Sequence, residues 1–275
     1  MEGVGRRRTL LFVPGNRPER FEKALAAGAD SVCIDLEDAV PPGEKAAARR
    51  ATLDFAARHD GPGELLVRLN PLRSADGIAD LAAMLALDRP PAAVMLPKLS
   101  HAADLDLLDA VLGERATRVV PLVETAAGLA AADAIAAGPR VAALLFGAVD
   151  LSAELGCALD WEPLLVARST LVRACAAAGV QLYDVPHIDV ADEAGLAETT
   201  RRARALGFTG RACIHPRQVP VVNAAFTPSG QEIARARRIL DAFAAAGGGV
   251  ALLDGKLIEK PVARAAHRVL AAAGE

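Results

Sequence analysis

The chain has 275 residues, 31 basic against 34 acidic, a formal net charge of -3, and 52% hydrophobic residues with only 3% aromatics. That length suits one large domain, since a β/α barrel routinely takes about 250 residues. The near-balance of charge excludes an obvious nucleic-acid binder. No apolar run is long enough to cross a membrane. Cys33, Cys157, Cys175 and Cys213 are scattered without a CxxC pair, which reads as a reduced, cytoplasmic protein with no disulfide framework.

The chain opens with a basic run, Arg6-Arg7-Arg8. It reads as a solvated tail; the other reading is a patch that attracts an anionic ligand. Short runs rich in Val, Ile and Leu then recur: Thr9–Val13, Ser31–Leu36, Glu64–Leu69, Ala93–Leu96, Arg118–Val123, Val141–Phe146, Val180–Val185 and Gly210–Ile214. Continuous apolar runs are what strands buried on both faces require. Ala-rich segments with helical periodicity lie between them: Arg17–Ala27, Glu44–Arg58, Ala75–Leu87, Ala102–Leu112, Thr125–Ala137, Glu162–Ala178 and Asp192–Leu206. Several stop at a glycine, Gly28, Gly113, Gly138, Gly179 and Gly207, where a helix C-terminus favours positive φ.

Eight such strands alternating with helices predict an α/β fold, a closed (β/α)8 TIM barrel, over residues 1–230. An open doubly wound sheet is the rival, but Val13-Pro14-Gly15-Asn16 lacks the glycine pattern of its first turn. Residues 231–275 read as an extension: a helix Gln231–Ala245, a Gly247-Gly248-Gly249 joint, a strand-like piece Val250–Ile258 with a turn, and a last helix from Pro261. It suits a lid or an oligomerisation element.

Barrel enzymes carry their chemistry at the C-terminal ends of strands. Those ends deliver Asp35, Glu37 and Asp38; Arg68 and Asn70; Lys98; Glu124; Gly147 to Asp150; Asp184 and His187; and His215. Glu124 and Asp150 follow adjacent strands, so their carboxylates can converge. Two oxygen ligands completed by water and substrate suit Mg²⁺; the alternative is that each caps the helix after it. Zinc is disfavoured for want of His/Cys ligand spacing. Arg68 interrupts an apolar strand and shares a face with Leu66 and Asn70 by period-two geometry. It needs an anion, either Glu37 or Asp38, or a substrate carboxylate held by its planar fork. At least one of Asp35, Glu37 and Asp38 reads as an orienting group for Arg68 or for metal-bound water. Lys98 suits an ion pair better than a Schiff base. His187 and His215 read more readily as structural hydrogen-bonders than as bases.

The motifs Arg8-Thr9-Leu10-Leu11-Phe12-Val13-Pro14-Gly15, Asp35-Leu36-Glu37-Asp38-Ala39-Val40, Val67-Arg68-Leu69-Asn70, Leu96-Pro97-Lys98, Leu122-Val123-Glu124-Thr125-Ala126, Phe146-Gly147-Ala148-Val149-Asp150-Leu151, Ile214-His215-Pro216-Arg217-Gln218 and Asp254-Gly255-Lys256-Leu257-Ile258-Glu259 occur in that order. Together they resemble the citrate lyase β-subunit family within the HpcH/HpaI aldolase superfamily, which includes malyl-CoA and citramalyl-CoA lyases. The resemblance spans essentially the whole chain. It implies a Mg²⁺-dependent barrel, commonly a homotrimer (a hexamer is also open), acting on 3-hydroxyacyl thioesters of CoA or of an acyl carrier protein. The family's metal ligands match Glu124 and Asp150, and its substrate arginine matches Arg68. Its CoA contacts fall on the loop carrying Arg17, Arg20 and Lys23 and on the stretch His215 to Gln218. One departure stands out: where the lyases bring a catalytic aspartate from a neighbouring subunit's lid, this chain has Glu259, one methylene longer.

The expected reaction is reversible C–C cleavage to acetyl-CoA and a 2-oxo acid, with Arg68, Glu259, Asp35, Glu37 and Asp38 as candidate catalytic groups. A thioesterase on the same esters, a citrate lyase β subunit needing a carrier protein, and a non-enzymatic binding subunit stay open. Glyoxylate and pyruvate differ by one methyl, a discrimination worth about 1–3 kcal/mol in an apolar pocket, so the sequence does not choose between them.

Overall fold

The computed structural model describes residues 7–61 and 63–274, so Arg6 of the basic run lies outside the described residues. The chain divides into two compact units, residues 7–223 and, within the described part, 224–274.

In the first unit eight parallel strands follow one another around a closed barrel: β1 (Thr9–Pro14), β2 (Ser31–Asp35), β3 (Glu64–Arg68), β4 (Ala93–Leu96), β5 (Arg118–Val123), β6 (Ala143–Phe146), β7 (Gln181–Asp184) and β8 (Gly210–Cys213). Pairing of β1 with β8, Leu10 beside Ala212, closes the ring and excludes the open sheet. Leu10, Cys33, Leu66, Met95, Val120, Leu122, Leu145 and Tyr183 form one buried cluster, with Phe12 packed against it. Branched and long apolar chains thus fill the barrel as a solid core, not a pore. Cys33 pairs in register with Leu66, and both belong to this cluster. Two residues on, Asp35 is paired with Arg68. Period-two geometry therefore stacks that acid and that base directly above the apolar core, at the C-terminal mouth.

The helices are α1 (Phe21–Leu25), α2 (Lys45–Arg58), α3 (Ala75–Leu85), α4 (Ala103–Leu112), α5 (Ala126–Ala130), α6 (Ala132–Ala136), α7 (Ala148–Leu155), α8 (Leu165–Ala178), α9 (Glu193–Leu206) and α10 (Gln218–Phe226). They differ from the sequence reading in three ways. The segment Arg17–Ala27 begins as a 3-10 turn at Pro18–Arg20 and holds only a five-residue helix. The segment Thr125–Ala137 is broken at Ala131 into α5 and α6. Gly128 in α5 lies so close to the Leu99 carbonyl that a Cβ there would sit 2.5 Å from its oxygen, which fixes how tightly this turn meets the neighbouring loop. Helices α7 and α10 were not anticipated, because the runs after β6 and β8 are only eight and nine residues long, too short to show helical periodicity.

The basic run is no tail. Arg7 is buried, its Nε donating to Glu64 Oε2 at 2.6 Å, and Arg8 pairs with Asp30 through Nε and Nη2, both at 2.8 Å. Both readings of the run give way to ion pairs at the barrel's N-terminal floor. Both arginines precede β1; Asp30 lies just before the adjacent β2, and Glu64 opens β3, one strand further round.

The second unit has its own core. Ser229 caps α11 (Gly230–Ala245) in a capping box with Glu232. A hairpin of β9 (Ala251–Leu253) and β10 (Lys256–Ile258) turns at Asp254-Gly255, both at positive φ, as a type I′ turn requires. It leads into α12 (Lys260–Ala273). Ala236, Ile239, Ile258 and Ala266 are buried among Leu240, Phe243 and Val262.

Candidate active site

A cavity of about 470 Å³ opens at the C-terminal mouth of the barrel. Asp35, Asp38, Arg68, Glu124 and Asp150 line it beside Phe12, Leu122, Leu145, Val185 and Ile214. Five of the sequence candidates therefore share one chamber, with an apolar wall that the strand ends supply.

Arg68 is held on every side. Its Nε and Nη2 donate to the two oxygens of Asp35 at 2.6 Å each, a bidentate fork. Its Nη1 lies 3.0 Å from Glu37 Oε2 and 3.8 Å from Asp38 Oδ2, and its guanidinium sits 5.1 Å from the centre of the Phe12 ring. The structural carboxylate partners considered for Arg68 are thus present, joined by Asp35. A substrate carboxylate would have to use the Nη1–Nη2 edge. Asp35 also accepts the backbone N–H of Glu37 at 2.8 Å and of Ala39 at 3.0 Å. Buried and saturated by four donors, it orients Arg68 and has nothing left for proton transfer.

Glu124 is 4% exposed. Its Oε1 accepts the backbone N–H of Lys98 at 2.7 Å. Burial, reinforced by the charges of Glu37 and Asp150, pushes its carboxyl up to about 8. It does not cap the following helix: Thr125 does, accepting the N–H of Gly128 at 3.0 Å. Asp150 lies in the first turn of α7, half-buried, with no side-chain cap bond at that terminus. Gly147 makes the approach possible, since a Cβ there would fall 2.3 Å from Glu124 Cβ and 3.0 Å from its Oε2.

The donor set fits a divalent cation. Two like-charged carboxylates face one cavity, and the strain of keeping Glu124 ionised there is the strain a cation relieves. No group of three or more His, Cys, Asp or Glu ligands occurs among the described residues; a site of two carboxylates would leave the rest of an ion's shell to water and substrate oxygens.

Glu37 is 3% exposed and lies between two cations, with Lys98 Nζ 2.9 Å from Oε1 and Arg68 Nη1 3.0 Å from Oε2. Neither oxygen makes a well-angled hydrogen bond. Burial raises its carboxyl, and Arg68 and Lys98 oppose that rise. Lys98 is raised in turn, chiefly by Glu37, so its amine stays charged and is a poor Schiff-base nucleophile.

Several candidates are placed elsewhere. Asn70 follows the end of β3, and its backbone and side-chain N–H both donate to Asp80 Oδ2 at 2.7 Å, tying the loop to α3. Asp184 is fully buried against Arg168, whose Nε donates to it at 3.1 Å. His187 contacts Asp192 at 3.1 Å. Gln218, expected at the CoA contact, is turned inward. It is buried, its Oε1 accepts the N–H of Ile214 at 2.9 Å and of His215 at 3.3 Å, and its Nε2 donates to the His187 carbonyl at 2.7 Å. It laces two loops together. Arg17, Arg20 and Lys23 are exposed on the segment after β1, and His215 is half-buried, its Nδ1 accepting the N–H of Arg217 at 3.2 Å. Glu259 belongs to the second unit, exposed at the N-cap of α12 and making no cap bond. The sequence reading missed Phe12 beneath Arg68 and the apolar wall of Leu122, Leu145, Val185 and Ile214. Leu122 and Leu145 are paired in register, and Phe12 packs against the interior cluster they belong to; their interior places on apolar strands were the signal.

A model of the HpcH/HpaI aldolase/citrate lyase family matches residues 8–216. The chain belongs to that family. It is an enzyme of the lyase class, and a second model, of C–C bond lyases of the TIM-barrel fold, matches residues 173–274. An L-malyl-CoA/beta-methylmalyl-CoA lyase of Cereibacter sphaeroides is 36% identical, over 92% of this chain and 90% of that protein. A (3S)-malyl-CoA thioesterase of Cereibacter sphaeroides is 35% identical, over 97% and 94%. The crystal structure of CitE from Mycobacterium tuberculosis, in complex with magnesium, acetoacetate and coenzyme A, aligns with TM-score 0.84 at 38% identity and covers 98% of each chain.

Proposed function

We propose that this lyase is Mg²⁺-dependent and cleaves, or forms, a 3-hydroxyacyl-CoA thioester such as citramalyl-CoA or malyl-CoA, giving acetyl-CoA and a 2-oxo acid. The observation that carries this reading is the convergence of Glu124, Asp150 and Arg68 on one cavity at the barrel mouth. The similarity to a malyl-CoA lyase and to a magnesium- and coenzyme A-bound structure supports it.

Glu124 and Asp150 would hold the ion. Bound there, Mg²⁺ supplies Lewis-acid stabilisation to the oxygen that changes from hydroxyl to carbonyl. Arg68, rigid between Asp35, Glu37 and Phe12, orients the carboxylate of the departing oxo acid with its remaining edge. The hydroxyl proton passes to a carboxylate at the mouth, with Asp38, which lines the cavity, as the candidate; the C–C bond breaks, and its electron pair becomes the enolate of the acetyl thioester. A carboxylic acid then protonates the enolate carbon; Glu259 is the candidate, delivered by a neighbouring subunit of a homotrimer. Arg17, Arg20 and Lys23 offer cations to the phosphates of CoA, with His215 beside the mouth. The apolar wall excludes water from the enolate.

A thioesterase is the second reading, favoured by the thioesterase relative. It would use the same cavity but deliver water to the thioester carbonyl. The test is incubation with Mg²⁺ and malyl-CoA, citramalyl-CoA or citryl-CoA, with products identified by mass spectrometry. Acetyl-CoA plus a 2-oxo acid, lost in Arg68→Lys and Glu259→Gln, establishes the lyase. Free CoA plus intact hydroxy acid establishes the thioesterase. Turnover only of a carrier-protein thioester makes the chain a citrate lyase β subunit, and no turnover of any of these overturns the proposal.

A further inference from the structure

We propose that Lys98 sets the number of carboxylates at the metal site: its ammonium group holds Glu37 back from the ion while its backbone N–H aims Glu124 toward it. The proposal rests on Glu124 and Asp150 being the metal ligands.

Lys98 touches two glutamates with opposite ends. Its Nζ lies 2.9 Å from Glu37 Oε1, and its N–H donates to Glu124 Oε1 at 2.7 Å. The residue has φ of 53°, a left-handed conformation rare for a side chain with a Cβ. Such strain persists only where the surroundings over-determine it, and it gathers at functional sites. Here the left-handed turn at the end of β4 is what presents the N–H to Glu124. Gly147 keeps the other side of that carboxylate open, because a Cβ there would sit 3.0 Å from Oε2. One oxygen of Glu124 is thus tied, and the other is left for the ion.

Glu37 is the third carboxylate near this arrangement, close enough for its charge to help raise the Glu124 carboxyl. It is 3% exposed, and neither oxygen has a well-angled hydrogen-bond donor, so two cations are all that restrain it. Arg68 holds Oε2 at 3.0 Å and is itself fixed by Asp35. Lys98 alone holds Oε1 among the described residues. Without the ammonium group, Glu37 is a buried carboxylate with an unneutralised oxygen beside two others, and a cation is its natural partner. Affinity for a hard cation rises with ligand charge count, while Mg²⁺ at a two-carboxylate site keeps positions for water and substrate. A third carboxylate therefore tightens the ion and closes a position the substrate needs.

The test is Mn²⁺ titration of the full-length, metal-stripped protein, followed by electron paramagnetic resonance of the free ion, with turnover measured in parallel. Lys98→Met should bind Mn²⁺ at least about fivefold more tightly than the wild type while losing turnover. Lys98→Gly keeps the N–H, accepts the positive φ without strain and serves as the second variant; it should behave the same way. The gain should vanish when Glu37→Gln is added to Lys98→Met. Unchanged or weaker Mn²⁺ binding in both Lys98 variants overturns the proposal, and so does a gain that survives Glu37→Gln, which would be charge removal alone. A wild type that binds no Mn²⁺ overturns the two-carboxylate metal site and this proposal with it, a result distinct from either of those.

Discussion

The two ends of the barrel use charge in opposite ways. At the floor, Arg7 faces Glu64 and Arg8 faces Asp30, cation matched to carboxylate, with Ser31 donating to Glu64 Oε2 at 3.0 Å. At the mouth, Arg68 and Lys98 stand against Asp35, Glu37, Asp38, Glu124 and Asp150. The floor is neutralised and closes the core. The mouth carries an excess of negative charge that the chain does not balance, and Glu124 shows the strain in its raised carboxyl. A balanced cluster needs nothing more; an unbalanced one at a cavity calls for a cation.

Removing an arginine from each end should break this symmetry most strongly. Arg68→Ala leaves Asp35 buried without its cation and Glu37 with Lys98 alone, and such a loss costs about 3–5 kcal/mol, so both melting temperature and turnover should fall. Arg7→Ala should lower the melting temperature while leaving kcat of the folded protein near that of the wild type. Calorimetry and steady-state assays on both variants check this, and a floor variant with normal stability but lost turnover would contradict it.

Gly147→Ala probes the mouth more gently. The new methyl would meet Glu124 Cβ at 2.3 Å, an overpacking expected to cost about 1–3 kcal/mol. Glu124 should be displaced, with Mg²⁺ affinity falling by about tenfold or more in a binding titration. Adding a methyl elsewhere, at exposed Gly43, meets nothing within 4 Å and should change neither.

The pH dependence sharpens the contrast. Glu124 has its carboxyl raised by burial to about 8. Its stabilising contribution is therefore complete below its ordinary value of 4.5 and is lost as pH rises through about 8. The metal-free protein should lose melting temperature between about pH 4.5 and pH 8 more steeply than Glu124→Gln. Saturating Mg²⁺ should flatten that difference, because the cation favours the ionised carboxylate.

The smallest effect concerns the thiols. Burial pushes Cys175 and Cys213 each up to about 12, and Cys33 higher still, so none should alkylate in the native protein. Half-buried Cys157 should react first under iodoacetamide, as peptide mapping would show.

Much of this was legible in the residues. Eight apolar runs gave the barrel because strands buried on both faces have a continuous signature. Glu124, Asp150 and Arg68 could be placed at the mouth because strand ends share a topological position. What escaped was set by tertiary contact. Arg7 and Arg8 look like a tail until Glu64 and Asp30 come alongside from strands far along the chain. Gln218 looks like a ligand contact until the backbones of residues 187, 214 and 215 take up its amide. Lys98 could be read as an ion-pairing lysine, and it pairs with Glu37; its backbone contact with Glu124 could not be, because that goes with a positive φ that the residues alone do not announce.

The central claim is that the mouth's surplus of carboxylates is a cation site built on Glu124 and Asp150. Isothermal titration of Mg²⁺ into metal-stripped wild type, Glu124→Gln, Asp150→Asn and the floor variant Glu64→Gln tests it directly. The account predicts one site in the wild type, retained in Glu64→Gln and lost or at least about tenfold weaker in the two mouth variants. Equal affinity in all four proteins, or none in the wild type, would contradict it.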